Sequence, residues 1–181
     1  MAEAVMESER QVQSNDCRAG KYLTFVLGSE EYGLEILKVR EIIGYIDVTA
    51  VPQTPGYVKG VINLRGQVIP VIDLRCKFNM EAAEQTEETC IIVVEIAQND
   101  HDISTGIIVD KVQEVLDVAG ENIEDSPEFG SDVDTDFILG MGKIGESVKM
   151  LLAIDKILSR DDFSSLNDMS DKTAGTDNVT A

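Results

Sequence analysis

The chain has 181 residues, 15 basic against 34 acidic side chains for a formal charge of −19, and 43% apolar residues. That charge repels the phosphates of nucleic acid and the headgroups of an anionic membrane, and it suits a protein partner with basic patches. No apolar run reaches the roughly 20 residues of a membrane span, and Trp is absent, so neither membrane insertion nor a base-stacking surface is expected.

In chain order, residues 1–19 are polar and charged with no apolar signal core, which predicts a disordered tail on a cytoplasmic protein. KYLTFVLG (21–28) alternates and predicts a strand, and SEEYG turns into the next one. EILKVREII (35–43) puts Ile36, Val39 and Ile43 on one helical face and predicts a short helix. GVINLRGQVIPVIDLR (60–75) predicts a hairpin with the two-residue tip Arg65-Gly66, since glycine accepts positive φ at little cost. Its flanks are apolar, so the cation at the tip has no core to serve. Pro70 cannot donate to a ladder, which predicts an edge or bulge position and an open side where another chain could dock.

EAAEQTEET (81–89) is acidic and turn-like and marks a boundary. CIIVVEIA (90–97) predicts a buried strand, QNDHDISTG (98–106) a polar turn, and KVQEVL (111–116) a second short helix. KMLLAID (149–155) predicts another buried strand, and DKILS a helix closing the core. From 161 the chain is again polar and acidic, predicting a disordered tail. So many short strands predict a mainly β fold, as small barrels or a sandwich.

An internal repeat organises these elements. GLEILKVREII (33–43) and GIIVDKVQEVL (106–116) share Gly, Lys, Val and Glu in register at an offset of 73. YVKGVINLRGQVIPVIDL (57–74) matches FILGMGKIGESVKMLLAIDKI (137–157) more loosely. The two halves differ at the hairpin tip, NLRG in the first and KIGES in the second. Packing needs both hairpins but needs no Arg at either, which points to a surface role for Arg65.

Other motifs reduce to structure. GMGKIG, with Gly140, Gly142 and Gly145, spells GxGxxG, but the run after it is strand-like, whereas a dinucleotide site needs a helix there. Asp132, Asp134 and Asp136 resemble the start of a calcium loop, yet Phe137 and Lys143 stand where its Gly and Glu belong. His101, the only histidine, reads as a surface turn residue. Cys17, Cys76 and Cys90 are an odd set with no CxxC pair, which argues against a disulfide framework or a zinc site. Asp73 and Asp155 end equivalent strands and suggest capping roles. No catalytic signature is present, so no catalytic, cofactor or metal site is expected. A small enzyme or ligand-binding barrel using the GMGKIG turn or the acidic loop remains the alternative class.

GSEEYGLEILKVREIIGY, TPGYVKGVINLRGQVIPVIDLRCKF and GIIVDKVQEVL resemble the chemotaxis coupling protein (CheW) family, from about Lys21 to Leu158. The resemblance implies two SH3-like five-stranded β-barrel subdomains with a few short helices, one about 20–86 and the other about 87–160. It also implies a non-enzymatic adaptor that joins the cytoplasmic tips of methyl-accepting chemoreceptors to the histidine kinase CheA in membrane-associated receptor arrays. An adaptor of a related chemosensory pathway, such as surface motility, is the alternative within the family. The first half is expected to dock on the kinase's homologous regulatory domain, and the receptor tip to lie along an apolar groove of both barrels. Arg65 matches the family's hairpin arginine, with Asn63, Leu64 and Gly66 beside it and Gly60 at the hairpin base. A short helix at Lys38 to Ile42 is implied, with Val39, Glu41 and Ile42 at positions associated with receptor contact.

Overall fold

The computed structural model describes residues 18–81, 83–98, 101–127 and 136–158. Expectations for most of the two tails, and for Asp132 and Asp134, fall outside these residues. The chain begins with β1 (Gly20–Leu27), β2 (Glu30–Glu35), a 3-10 turn at Ile36–Lys38 and β3 (Val39–Gly44). After a long loop come β4 (Val58–Leu64), β5 (Gln67–Asp73) and the one-turn helix α1 (Leu74–Lys77). The second half runs β6 (Cys90–Gln98), β7 (His101–Val109), β8 (Lys111–Val118), a 3-10 turn at Gly120–Asn122, β9 (Ile123–Glu124), β10 (Ile138–Ile144), β11 (Ser147–Leu152) and α2 (Ile154–Ile157).

The architecture is mainly β, with two barrel-like sheets. One has the strand order β3-β6-β7-β5-β4, and the other β8-β1-β2-β11-β10-β9. The two-residue β9 makes the second sheet six-stranded. Neither sheet is continuous in sequence. The first half gives β1 and β2 to the six-stranded sheet and β3, β4 and β5 to the other. The second half returns β6 and β7 and keeps β8 to β11. The acidic stretch at 81–89 therefore lies between two strands of one sheet.

The exchange obeys the repeat. β1–β2 corresponds to β6–β7, β3 to β8, and β4–β5 to β10–β11, and each set pairs in the same order. Each sheet has one parallel contact, β11 with β2 and β5 with β7. The repeated glycines sit there: Gly33 lies opposite Leu151, and Gly106 opposite Val71. A Cβ at Gly33 would stand 2.9 Å from Leu151 Cδ2, and one at Gly106 2.9 Å from Ile91 Cγ2. Close packing therefore explains the shared glycine.

Where the chain was expected to turn helical at 35–43, only Ile36–Lys38 coils, and Val39–Gly44 pairs with β6. The helix implied at Lys38 to Ile42 is thus a strand. KVQEVL (111–116) likewise lies in β8 and pairs with β1. Both segments are rich in β-branched residues, which pack well on a pleated surface, and tertiary pairing outweighs a few matches to the helical period. The expected polar turn at 98–106 is mostly β7, with Asp102 to Gly106 opposite Ala97 to Val93. The helix read in DKILS forms as α2. Asp73 caps α1, its Oδ1 accepting from the Arg75 N–H at 2.9 Å. Asp155 instead lies inside α2 and pairs with Lys38 at 3.1 Å. Pro70 stands one residue before the β5–β7 ladder starts at Val71, so its missing N–H interrupts no parallel bond. Cys76 and Cys90 are free thiols.

The largest core lies between the sheets. Phe25, Leu34 and Leu152 from one meet Ile72, Ile92 and Ile107 from the other, closed by Leu74, Ile154 and Ile157 of the helices. Each barrel also has a small interior, around Ile62, Ile69, Val71, Ile91 and Val93 in one and Tyr22, Val118, Ile123 and Leu151 in the other. This accounts for the unbroken apolar run of β6. Ile91 and Val93 face a barrel interior while Ile92, Val94 and Ile96 face the shared core. Each such buried side chain contributes about 1.5–3 kcal/mol.

An ion pair fastens the point where the chain passes between sheets. Asp110, between β7 and β8, accepts from Arg75 Nε at 2.7 Å and from the Gly28 N–H at 2.8 Å, with Arg75 Nη2 on its second oxygen. The Arg75 hydrogen bonds, with the Gly28 N–H and the guanidinium charge, hold the Asp110 carboxyl below the usual aspartate range against the opposing effect of burial.

Two outcomes are expected. Asp110→Asn lowers unfolding free energy by about 2 kcal/mol, since it weakens charge-assisted bonds at a part-buried site. The native carboxyl is more acidic than its unfolded counterpart, so its contribution is complete above about pH 4 and fades as pH drops through the depressed native value. Urea unfolding against pH checks this: the wild-type and variant curves separate at neutrality and converge in acid. Separately, Gly60 has φ +143° and a Cβ there would lie 1.9 Å from the Thr49 carbonyl oxygen. Gly60→Ala therefore destabilises by about 2–4 kcal/mol, read as a lowered denaturant midpoint.

Candidate partner-binding site

The site grows from the β4–β5 hairpin. Leu64 pairs with Gln67, leaving Arg65 and Gly66 as the tip, with φ of 54° and 86°. Positive φ at both central residues is the type I′ pattern, whose twist matches the flanking strands. The Gly66 N–H donates to Asn63 Oδ1 at 2.9 Å and locks the turn. Arg65 is therefore held in a conformation that glycine or asparagine usually takes, which fixes the direction in which its side chain leaves the ribbon.

That side chain reaches across to β3. Arg65 Nη2 lies 2.9 Å from Glu41 Oε2 and Nη1 3.3 Å from Oε1, a bidentate pair. The partners differ in exposure: the Arg65 side chain is 78% exposed and the Glu41 side chain 20%. Glu41 acts as an anchor seated on the sheet, and Arg65 as a cation held out from it. The pair ties the hairpin tip to β3, the opposite end of the five-stranded sheet.

Of the eight residues singled out in sequence, the structure brings Arg65 and Glu41 together and sets exposed Ile42 next to Glu41 on β3. Asn63 and Gly66 build the turn. Val39 and Leu64 are half-buried, the first against the shared core and the second against a barrel interior. Gly60 is buried beneath Thr49 and offers no surface. Sequence reasoning passed over Leu37, which is 93% exposed in the 3-10 turn, and exposed Val68, which faces Asn63 across the hairpin. Leu37 lies within the segment read as a helix but off its Ile36–Val39–Ile43 face, so no apolar periodicity draws notice to it. Val68 lies in a continuous apolar run, where alternation carries no signal.

The equivalent tip in the other barrel is different. Gly145 and Glu146 stand there, with φ 61° at Gly145, and no guanidinium projects from it. The counterpart of buried Ile69 is Lys149, also buried, with Nζ 2.6 Å from Glu31 Oε2. Hydrogen bonds from Lys149 and then Gln113 hold the Glu31 carboxyl below its usual range. Gly140, Gly142 and Gly145 span β10 and this turn and lead into β11, so GMGKIG lacks the helix a dinucleotide site requires. Among the described residues, no group of three or more His, Cys, Asp or Glu is placed to hold a metal ion, and no helix is long and apolar enough to cross a membrane.

Comparison with known proteins agrees with this geometry. The family profile described as a CheW-like domain matches residues 21–162. The Klebsiella aerogenes chemotaxis protein CheW is 41% identical over 150 residues, covering 83% of this chain and 88% of the relative. The Helicobacter pylori chemotaxis protein CheW is 36% identical over 141 residues, covering 78% and 82%. Among solved structures, the scaffolding protein TtCheW of Thermoanaerobacter tengcongensis superposes with a TM-score of 0.70 at 33% identity, covering 80% of this chain and 95% of the other. A profile match over most of the length, relatives above the level at which homology is in question, and a shared double-barrel fold place this chain in the CheW family.

Proposed function

We propose that this chain is a chemotaxis scaffold that couples receptors to the histidine kinase CheA, and that the surface around the Arg65–Glu41 pair is one of its handles. The function is to hold partners together, so its chemistry is that of an interface. The kinase's regulatory domain and the cytoplasmic tip of methyl-accepting receptors are the partners, met in arrays beneath the membrane.

The clasped arginine carries this reading. A free Arg surrenders much side-chain freedom on binding, whereas one already held by Glu41 is oriented in advance. Its guanidinium keeps outward N–H groups for a carboxylate and a planar face for apolar surface. Exposed Leu37, Ile42 and Val68 add apolar area on the same barrel. Arg is among the residue types that most often dominate binding energy at an interface.

Arg65→Ala should change unfolding free energy by about 0.5 kcal/mol or less, because an ion pair this exposed adds little. It should nonetheless weaken co-sedimentation with receptor fragments and a CheA-type kinase by about tenfold or more, equivalent to about 1.4 kcal/mol. Arg65→Glu should abolish it. The exchange variant Glu41→Arg with Arg65→Glu re-forms the internal pair with inverted polarity, so stability returns while coupling does not. Full coupling by Arg65→Glu would remove this surface from the function.

A further inference from the structure

The exchange of strands between the halves reaches beyond adaptor binding. The first half by itself would leave β3 without any ladder, since β3 pairs with β6, and would reduce β1–β2 to an isolated hairpin. The second half would likewise strand β8, which pairs with β1, and isolate β6–β7 as a hairpin. Two-stranded hairpins are marginal in water, and the shared core draws its residues from both halves. Four ladders join the halves: β1 with β8, β2 with β11, β3 with β6, and β5 with β7.

The connection between the halves contributes little to this. Residues 83–88 are exposed, and the hydrogen bonds here are local, from Thr89 N–H to Thr86 O and from Thr86 N–H to Thr89 Oγ1. Among its described residues, Glu88 forms an exposed ion pair with Lys111 and its carbonyl accepts from Cys90 Sγ at 3.1 Å. Straightening it sacrifices no ladder.

We propose that residues 18–81 and 90–158 are complementary half-chains whose pairing closes between two molecules as well as within one, so that this chain forms a strand-exchanged dimer with a second copy. Every contact between halves is the same whether the partner half belongs to one chain or the other. Only the connection and the association entropy differ. A short tether gives an effective concentration of about millimolar, so dilute refolding closes each chain on itself. Concentrated refolding lets halves of different chains find each other, and opening the four ladders of both unions is then required to return.

The test uses full-length chains, some carrying a donor dye and some an acceptor, unfolded together, refolded at high or low concentration, and diluted. The expected result is a species of twice the chain mass that shows energy transfer, arises only from concentrated refolding, has the monomer's circular dichroism per residue and survives dilution. Monomer at every concentration, or a dimer that dissociates on dilution, overturns the proposal. A protease site placed within 83–89 gives a second reading without refolding. Cutting the folded monomer should leave both halves in one particle of unchanged size, and cutting the dimer should yield two nicked monomers. Halves that separate on cutting, or a half that keeps its fold alone, overturn it.

Discussion

The parallel contact of a strand from one half with a strand from the other is the constraint from which the remaining structure follows. It occurs twice, β2 against β11 and β5 against β7, and each time glycine brings the backbones together over a buried aliphatic side chain. Because each half sends two strands into the other's sheet, the faces that result must be covered jointly. The main core therefore sits between the barrels, and the barrel interiors are small by comparison. A molecule built this way has no internal boundary at which one barrel could melt and leave the other intact. That stiffness is useful to a scaffold, which transmits position between two partners.

Several parts of this arrangement were legible in the residues alone. The Arg65-Gly66 tip was, because a two-residue loop ending in glycine between apolar runs has few other solutions. The duplication was, because Gly, Lys, Val and Glu recur in register between 33–43 and 106–116. The choice between helix and strand was not legible at 35–43 or 111–116. Three apolar residues at helical spacing and a β-branched run are both present in the first, and the neighbour that decides, β6, is some fifty residues away. Which strand joins which sheet was also hidden, since local pattern specifies faces and leaves partners open. Among the site residues, Arg65 and Glu41 were each singled out, but their meeting was not foreseen, because nothing local records a side chain reaching from a turn to an edge strand. Gly60 was counted with the interface, although its conformation and its crowding by Thr49 give it work inside the fold.

The two barrel tips show how a duplicated frame becomes asymmetric. One carries an exposed guanidinium steadied by a carboxylate. The other carries Gly145 and Glu146, and a lysine has taken an aliphatic interior position beneath it. A buried lysine is tolerable only with its carboxylate partner, so Lys149 and Glu31 are bound to each other in the same way that Ile69 is bound to an apolar interior. The frame stayed common while the polarity of its ends diverged, which lets a single small protein offer unlike surfaces to unlike neighbours.

The passages between sheets hold a further consequence. Arg75 on α1 meets Asp110 on the second half's passage, and Asp155 on α2 meets Lys38 on the first half's. Arg75 and Asp155 are both the second residue of their helices, while their partners Asp110 and Lys38 stand one position apart in the repeat register, so the two sites are neighbours in the repeat with their signs reversed. Were two first halves to join, Lys38 would confront Arg75; were two second halves to join, Asp110 would confront Asp155. The part-buried Arg75–Asp110 pair therefore favours the mixed union by sign, while the exposed Lys38–Asp155 pair adds little to that preference.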